Sequence, residues 1–599
     1  MKDIFLKKIM PYIGLCLFFL LPACDLDYEN TEVINPDNVW KDKKMINAYF
    51  NDIQGSMLPG WPYNANDSDE GMKGAGSMSD YQRGIIDVEK TGQKFDYDKI
   101  DKINFLLDKL EGIPESVLTA EENKQLAGQA LFWRAWDYWG KVTTFGGVPL
   151  ILKPQDVTDR ESLFVPRNKT SECVAQIIKD LDDAISFLPD QWTDDDYGRI
   201  DKGIAMAFKG KVLMWYASPL FNSNNDKKRW ETAYEANKAA VDFLTGVGKG
   251  LYPNYKNIWY DERNMEVVMV NQFYYPDHTF NQAAIRPYPF GEAGANFPYV
   301  PLLLAYPKKD GSALELDIDR LPDPAYNSDF MTDFYTNRDD RFYASIFCGG
   351  TIYPISEMKA GERFWYVWEK LEEDPSVPGV SRYSNLNFVQ NNGGIGDCIT
   401  GFTQLKGFDE SLEKSLLGNA ETDWIEIRFA EVLMNYGECA NEVGRSNEAL
   451  QVLYDIRKRA GIESGNGRYG ITAASQGEIR EAYIKERFVE FAFEGKRWGD
   501  LRRWKRFDIL NKLGYRSGLY LVINNNGDIE GFDWTRDISD PEVRKMFHME
   551  YIRNLDAKEE YKFNLDVNHW FYPINKEGID RNSKLEQNNE WGGTFDPLL

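Results

Sequence analysis

The apolar residues of the first half recur at helical spacing, and this recurrence narrows the fold more than any other feature. Over residues 171–188, Val174, Ile177, Ile178, Leu181, Ile185 and Leu188 fall on one face, and Pro189 closes the run. Residues 97–110 put Ile100, Ile103, Leu106, Leu107 and Leu110 on one stripe. Residues 126–139 read as a helix stopped by Gly146-Gly147 and Pro149, and residues 204–216 and 230–244 as a further pair. Each stripe must be covered by another element, so a mainly α, layered fold is expected. Over 250–420 the period is lost, and Gly, Pro, Asn and Tyr dominate short apolar runs. So long an irregular stretch in a compact chain usually carries function. Helices are expected again over 424–460 and 476–498, and residues 499–599 read as irregular with a few short elements.

The first residues have the parts of an export signal. Lys2, Lys7 and Lys8 precede an apolar core at 13–21, followed by Pro22 and Ala23. That core is shorter than the roughly 20 apolar residues a spanning helix needs. Leu21-Pro22-Ala23-Cys24 resembles the bacterial lipobox, so residues 1–23 are read as a lipoprotein signal peptide and Cys24 as the lipidated residue. Several acyl chains on Cys24 would hold firmly where one binds only marginally. Residues 24–40 are polar and broken by proline, a tether. Two regions follow, 41–250 mostly helical and 251–599 divided into loop-rich 251–423, helices 424–498 and a closing segment 499–599.

The 599 residues carry 70 basic and 95 acidic side chains, a formal charge of −25. Such a body repels phosphate backbones, so nucleic acid is excluded as a partner. With 17 Trp, 33 Tyr and 35 Phe, the chain can fill a large core and still offer rings to flat ligand faces. The cysteines at 173, 348, 398 and 439 have no metal-ligand spacing. Cys173 and Cys439 fall within helical patterns and are expected in the core; the pairing of Cys348 with Cys398 stays open.

Catalytic signatures are absent: no HExxH, no GxSxG, and no P-loop, since Leu251 follows TGVGKG (245–250) where Ser or Thr is needed. The segment IKERFVEFAFEGKRWGDLRRW (484–504) sets Glu486, Glu490 and Glu494 four apart on one helix flank. Two such carboxylates could act as acid and base in glycoside hydrolysis. The structural reading is preferred: Ile484, Phe488 and Phe491 make a core stripe, and Arg487, Arg497, Arg502 and Arg503 could satisfy the acids. In AEVLMNYGECANEVGRSNEAL (430–450), Gly437, Gly444 and Ala449 have the spacing of a tetratricopeptide repeat, where small residues let paired helices approach.

The 484–504 segment resembles the C-terminal signature of the SusD/RagB family of outer-membrane nutrient-binding lipoproteins. The matching residues are Glu486-Arg487, Glu490, Glu494-Gly495, Arg497, Asp500-Leu501 and Arg502-Arg503. IRFAEVLMNYGECANEVG (427–444) resembles a second family pattern, with Gly437 where the family carries alanine and Cys439 where it carries an acidic or small residue. IRKRAGI (456–462), FWRAWDYWGKVTTFGGVPLI (132–151), 203–216, TNRDDRFYASI (336–346), TGFTQLK (400–406) and FYPINKEGIDRN (571–582) continue the likeness along the chain.

The resemblance implies a right-handed superhelix of about four tetratricopeptide-like hairpins, with loop-rich insertions carrying the ligand site. It implies a cell-surface lipoprotein, held in the outer membrane through Cys24, that binds glycans without cutting them. The acids at 25, 27 and 29 resemble a surface-export signal of such proteins. It further implies a SusC-like TonB-dependent transporter barrel as partner. A peptide-binding lid of a peptide importer is the alternative, and a carboxylate-dependent glycoside hydrolase a more remote one. No cofactor is expected, and no EF-hand spacing supports calcium.

Sugar rings stack on aromatic faces while amides, carboxylates and arginine bind their hydroxyls. Three stretches supply this mixture: GWPYNANDSDE (60–70) with Trp61, Tyr63, Asn64 and Asp69; NQFYYPDHTFNQAAIRPYPF (271–290) with Tyr274, Tyr275, Arg286 and Tyr288; and RFWYVWEK (363–370) with Trp365 and Trp368. Trp61, between Gly60 and Pro62, is the ring most expected at the surface. Alternation in FWYVW predicts a strand with Trp365 and Val367 opposite Phe364, Tyr366 and Trp368.

Overall fold

The computed structural model describes residues 36–62, 67–73, 78–282, 296–352, 363–373, 379, 381–385, 388–389, 393–394, 400–524, 532–533 and 535–599. The signal peptide, Cys24, Tyr63, Asn64, Arg286, Tyr288 and Cys398 lie outside these residues.

The helical stripes form helices close to their expected places: Asp98–Leu110, Ala120–Phe145, Thr170–Phe187, Lys202–Ala217 and Lys227–Gly246. Ala120–Phe145 starts six residues before its apolar stripe does. A capping box accounts for this: Thr119 Oγ1 accepts from Glu122 N while the Glu122 carboxylate accepts from Thr119 N. The pairs Ala120–Phe145 with Thr170–Phe187, and Lys202–Ala217 with Lys227–Gly246, pack side by side. Phe429–Glu442 and Ser446–Arg459 form a third pair, and Phe429–Glu442 lies directly against Lys227–Gly246. The chain thus leaves the helical stack after residue 246, runs through the insertion, and rejoins it at residue 429. One apolar core runs through these helices, from Ile46 and Ile100 through Ile177 and Phe208 to Val452 and Ile479. Cys173 and Cys439 are buried in it as expected; Cys348 is buried and free.

Gly437 is the point of closest approach in the third pair. A Cβ there would lie 1.9 Å from Tyr483 Oη and 3.0 Å from Val452 Cβ. Tyr483 belongs to the next helix, Gln476–Glu490, and its hydroxyl donates to Ala449 O at 2.7 Å.

Three expectations are corrected. Residues 424–428 form a strand, Trp424–Arg428, antiparallel to Val267–Asn271; Trp424, Ile425 and Ile427 are buried beside a half-buried Glu426. The helix expected over 476–498 stops at Glu490, because Phe493 and Gly495 adopt positive φ; a second helix, Arg497–Arg503, follows. The loop-rich region also holds the helix Pro324–Thr336, started by the Asp323 side chain and a proline in its first turn.

A four-stranded sheet runs in the order Phe547–Ile552, Gly518–Ile523, Trp368–Lys370, Tyr383–Asn385. The single strand expected over 364–368 is instead two, Phe364–Trp365 and Trp368–Lys370, in different sheets, but the predicted facing holds: Trp365 and Val367 enter one core cluster, while Phe364, Tyr366 and Trp368 enter another. Both faces are therefore covered.

Candidate functional site

Beyond Val267–Asn271 the chain turns back as a short hairpin. Tyr274 and His278 exchange backbone hydrogen bonds, and Phe280 does the same with Ala420. Two carboxylates from the segment entering Trp424–Arg428 hold its rising arm. Asp423 Oδ1 accepts from Phe273 N and Glu421 Oε1 from Tyr275 N, both at 2.8 Å. Burial, with Glu262 nearby, pushes the Asp423 carboxyl up to about 6, even though it accepts from Phe273 N. At the tip, Tyr274 and Tyr275 remain 54% and 62% exposed.

Beneath the hairpin lies a packed aromatic floor. Trp61 sits 5.0–5.5 Å from Trp259, Trp424 and Phe280, and Trp259 stacks on Trp424 at 5.5 Å and 13°. Beside it opens a cleft of about 510 Å³, lined by Trp259, Tyr260, Asp409, Ser411, Glu421 and Asp423 among others. The cleft combines ring edges with hydroxyl and carboxylate acceptors, the mixture that sugar hydroxyls require.

The 67–73 segment is tied to the helical body close by. Asp69 receives a two-pronged bond from Arg497, Nε at 2.8 Å and Nη2 at 2.7 Å, with both residues buried. Glu70 Oε1 accepts from Phe493 N at 3.0 Å; burial pushes this carboxyl up to about 8, with Asp69 adding to the rise. Gly71–Lys73 pairs with Asn296–Pro298.

The candidates thus divide. Tyr274 and Tyr275 are exposed loop aromatics. Trp61 is not: its ring packs where Gly407 has no side chain, a Cβ there lying 2.0 Å from it, and its Nε1 donates to Thr422 O at 3.0 Å. Asp69 is committed to Arg497. Trp365 is sealed against Phe547 at 5.3 Å, and Trp368 lies flat under Tyr520 at 4.0 Å and 5°. Trp259, Tyr260, Glu421 and Asp423 were not singled out from the sequence. NIWY (257–260) and ETDW (421–424) carry a weak signal, aromatics in a short helical turn and acids just before a strand.

The regularly spaced acids are structural, with partners other than those expected. Glu486 pairs with Arg341 and Arg457; Glu490 with Arg341, Arg428 and Arg459; Glu494 with Arg428 and Lys406. Glu266 bridges Arg428 and Arg459. Burial alone would raise the Glu490 carboxyl, but Arg459, Arg428 and Arg341 hold it well below the usual range. Arg487 and Arg503 instead grip Asp500, Arg503 also holds Glu438, and Arg502 donates to backbone carbonyls. Sealed carboxylates held by guanidinium have neither the access nor the proton exchange that an acid–base pair needs.

The fold is thus a helical stack interrupted by one long insertion, which carries exposed rings beside a polar cleft. The comparisons fix the family. A model described as the SusD family matches residues 230–591, and one described as starch-binding associating with outer membrane matches residues 45–214. The chain belongs to the SusD family, whose described place is the outer membrane. It is similar to SusD-like protein P2 of Formosa agariphila, 25% identical over 415 residues, covering 65% of this chain and 67% of that one. In fold it is similar to a SusD-like protein from Bacteroides fragilis, at TM-score 0.68, 22% identity and coverage of 93% and 98%. A SusD-like carbohydrate binding protein of the same organism gives TM-score 0.67, 19% identity and coverage of 91% and 99%. Surface glycan-binding protein A from Bacteroides uniformis gives 0.57, 18%, 91% and 99%.

Proposed function

We propose that the protein captures an oligosaccharide at the Tyr274–Tyr275 hairpin and the adjoining cleft, without cutting it, and passes it to a SusC-like TonB-dependent barrel. The body is moored to the outer membrane through lipid on Cys24. The observation that carries this reading is the pair of exposed tyrosines at the tip of a hairpin whose backbone is held by Asp423 at Phe273 and by Glu421 at Tyr275. Backbone anchors at Phe273 and Tyr275 hold the loop that carries the rings before a ligand arrives, which reduces the loop entropy lost on binding. Family membership supports the ligand class, since relatives of this fold are named for carbohydrate or glycan binding.

The test is a calorimetric screen of the mature protein against polysaccharides of differing backbone, repeated with Tyr274→Ala/Tyr275→Ala. Binding by the parent and its loss in the variant are expected. Release of reducing ends by the purified protein, or a variant that binds as well as the parent, overturns the reading.

A further inference from the structure

A second cavity, of about 680 Å³, opens between the helix Pro324–Thr336 and the edge strand Phe547–Ile552. Asn327 fixes this junction. Its amide donates to Leu321 O at 2.9 Å and Met549 O at 2.8 Å, and its carbonyl accepts from Met549 N at 2.9 Å. The strand edge is thereby closed, and Leu321, Met331 and Met549 give the cavity an apolar wall.

The charge of the lining runs against that of the molecule. In a chain with 25 more acids than bases, the described lining holds Lys370, Arg544 and Lys545 against one carboxylate, Glu550. Glu550 is already engaged by Tyr383 and His548, with Lys370 at 3.5 Å. Both ring nitrogens of His548 face oxygens, Asn524 Oδ1 at 2.7 Å and Glu550 Oε1 at 3.0 Å. The Asn524 amide donates to Lys545 O at 3.0 Å, which fixes its carbonyl toward the ring. Arg544 is buried and gives one amino group to the carbonyls of Ile538 and Ser539; its other reaches Thr332 Oγ1 only at 3.5 Å. The acids nearest to it in sequence are paired elsewhere, Asp540 with Arg536 and Glu542 with Lys545. Arg544 thus has no carboxylate partner among the described residues, and a buried guanidinium so placed favours a bound anion.

We propose that this cavity is a second ligand site, separate from the tyrosine hairpin, that takes a carboxylate- or sulfate-bearing sugar unit. The cationic rim would bind the anionic group, and the apolar wall would cover a C–H face of the ring. The saccharide half of this inference rests on the glycan-capture reading; the anion half rests on the cavity alone.

The experiment titrates the mature protein with tetragalacturonate, a sulfated carrageenan tetrasaccharide, cellotetraose and sodium sulfate. It is repeated with Lys370→Gln/Lys545→Gln, both exposed positions, and with Tyr274→Ala/Tyr275→Ala. At least one anionic tetrasaccharide should bind, more tightly than cellotetraose or free sulfate. It should lose roughly tenfold in the lysine variant and several-fold between about 50 and 500 mM salt. It should be unchanged in the tyrosine variant. Failure of both anionic probes, or an unaffected lysine variant, overturns the second site and leaves the hairpin to be judged by its own variant. Free sulfate binding as tightly as the oligosaccharides overturns the saccharide half.

Discussion

Replacing Gly437 by alanine sets two effects of opposite sign against each other. Helix propensity alone favours alanine inside Phe429–Glu442 by about 0.5–1 kcal/mol. The structure opposes it, because the new methyl would lie 1.9 Å from Tyr483 Oη and 3.0 Å from Val452 Cβ. Neither neighbour is the loose end of a surface chain, since Tyr483 and Val452 are both buried. Overpacking of this kind costs about 1–3 kcal/mol. Displacing the Tyr483 hydroxyl from Ala449 O costs about 1–3 more if the carbonyl stays buried and unpaired. After the propensity gain, Gly437→Ala should destabilise by about 1–5 kcal/mol. Tyr483→Phe removes the nearest clashing atom and the hydroxyl whose displacement strands Ala449 O, but leaves the ring carbon at 2.9 Å and Val452 Cβ at 3.0 Å, so in that background the same substitution should cost about 0–2 kcal/mol, a coupling detectable in a double-mutant cycle. Urea denaturation followed by far-UV circular dichroism measures all four proteins. A raised midpoint for Gly437→Ala, or costs that simply add, would refute the close-approach argument.

Glu490→Gln leaves three buried guanidinium groups short of charge, and calorimetric unfolding should show a loss of about 3–5 kcal/mol. Glu70 has a folded pKa raised to about 8 from 4.5, so its contribution is greatest below pH 4.5 and is lost as pH rises through about 8. Glu70→Gln should remove that decline, visible as a flatter melting temperature between pH 5 and 9 than the parent shows. Tyr274→Ala and Tyr275→Ala should each weaken glycan binding by about 1 kcal/mol, with melting unchanged because both rings are exposed. Cys24→Ser should move the protein from the membrane to the soluble fraction on cell fractionation.

Helices were legible because their signal is local. Val174, Ile177 and Leu181 declare a face without reference to any other part of the chain. The site was harder to read, because it depends on residues brought together from afar. Tyr274 and Tyr275 were visible as loop rings, but Glu421 and Asp423, which hold the backbone of their hairpin at Tyr275 and Phe273, lie almost 150 residues further on. Trp61 looked exposed between Gly60 and Pro62, yet the space it fills exists only because position 407 lacks a side chain. The acids of 484–494 were legible as ion-pair formers from the mixed charge around them. Their partners were not, because Arg341, Arg428, Arg457 and Arg459 approach from other segments, while the nearby arginines turn to Asp69, Asp500, Glu438 and the backbone.

The sealed cluster around Glu490 draws on Glu266, Arg341, Arg428 and Arg459, segments spread over more than two hundred residues. Any nascent chain shorter than 490 residues lacks at least one of these members, so early lengths expose charges that only later lengths can neutralise. A charge cluster built this way cannot close until residue 490 has been made, so its neutralisation comes late in synthesis.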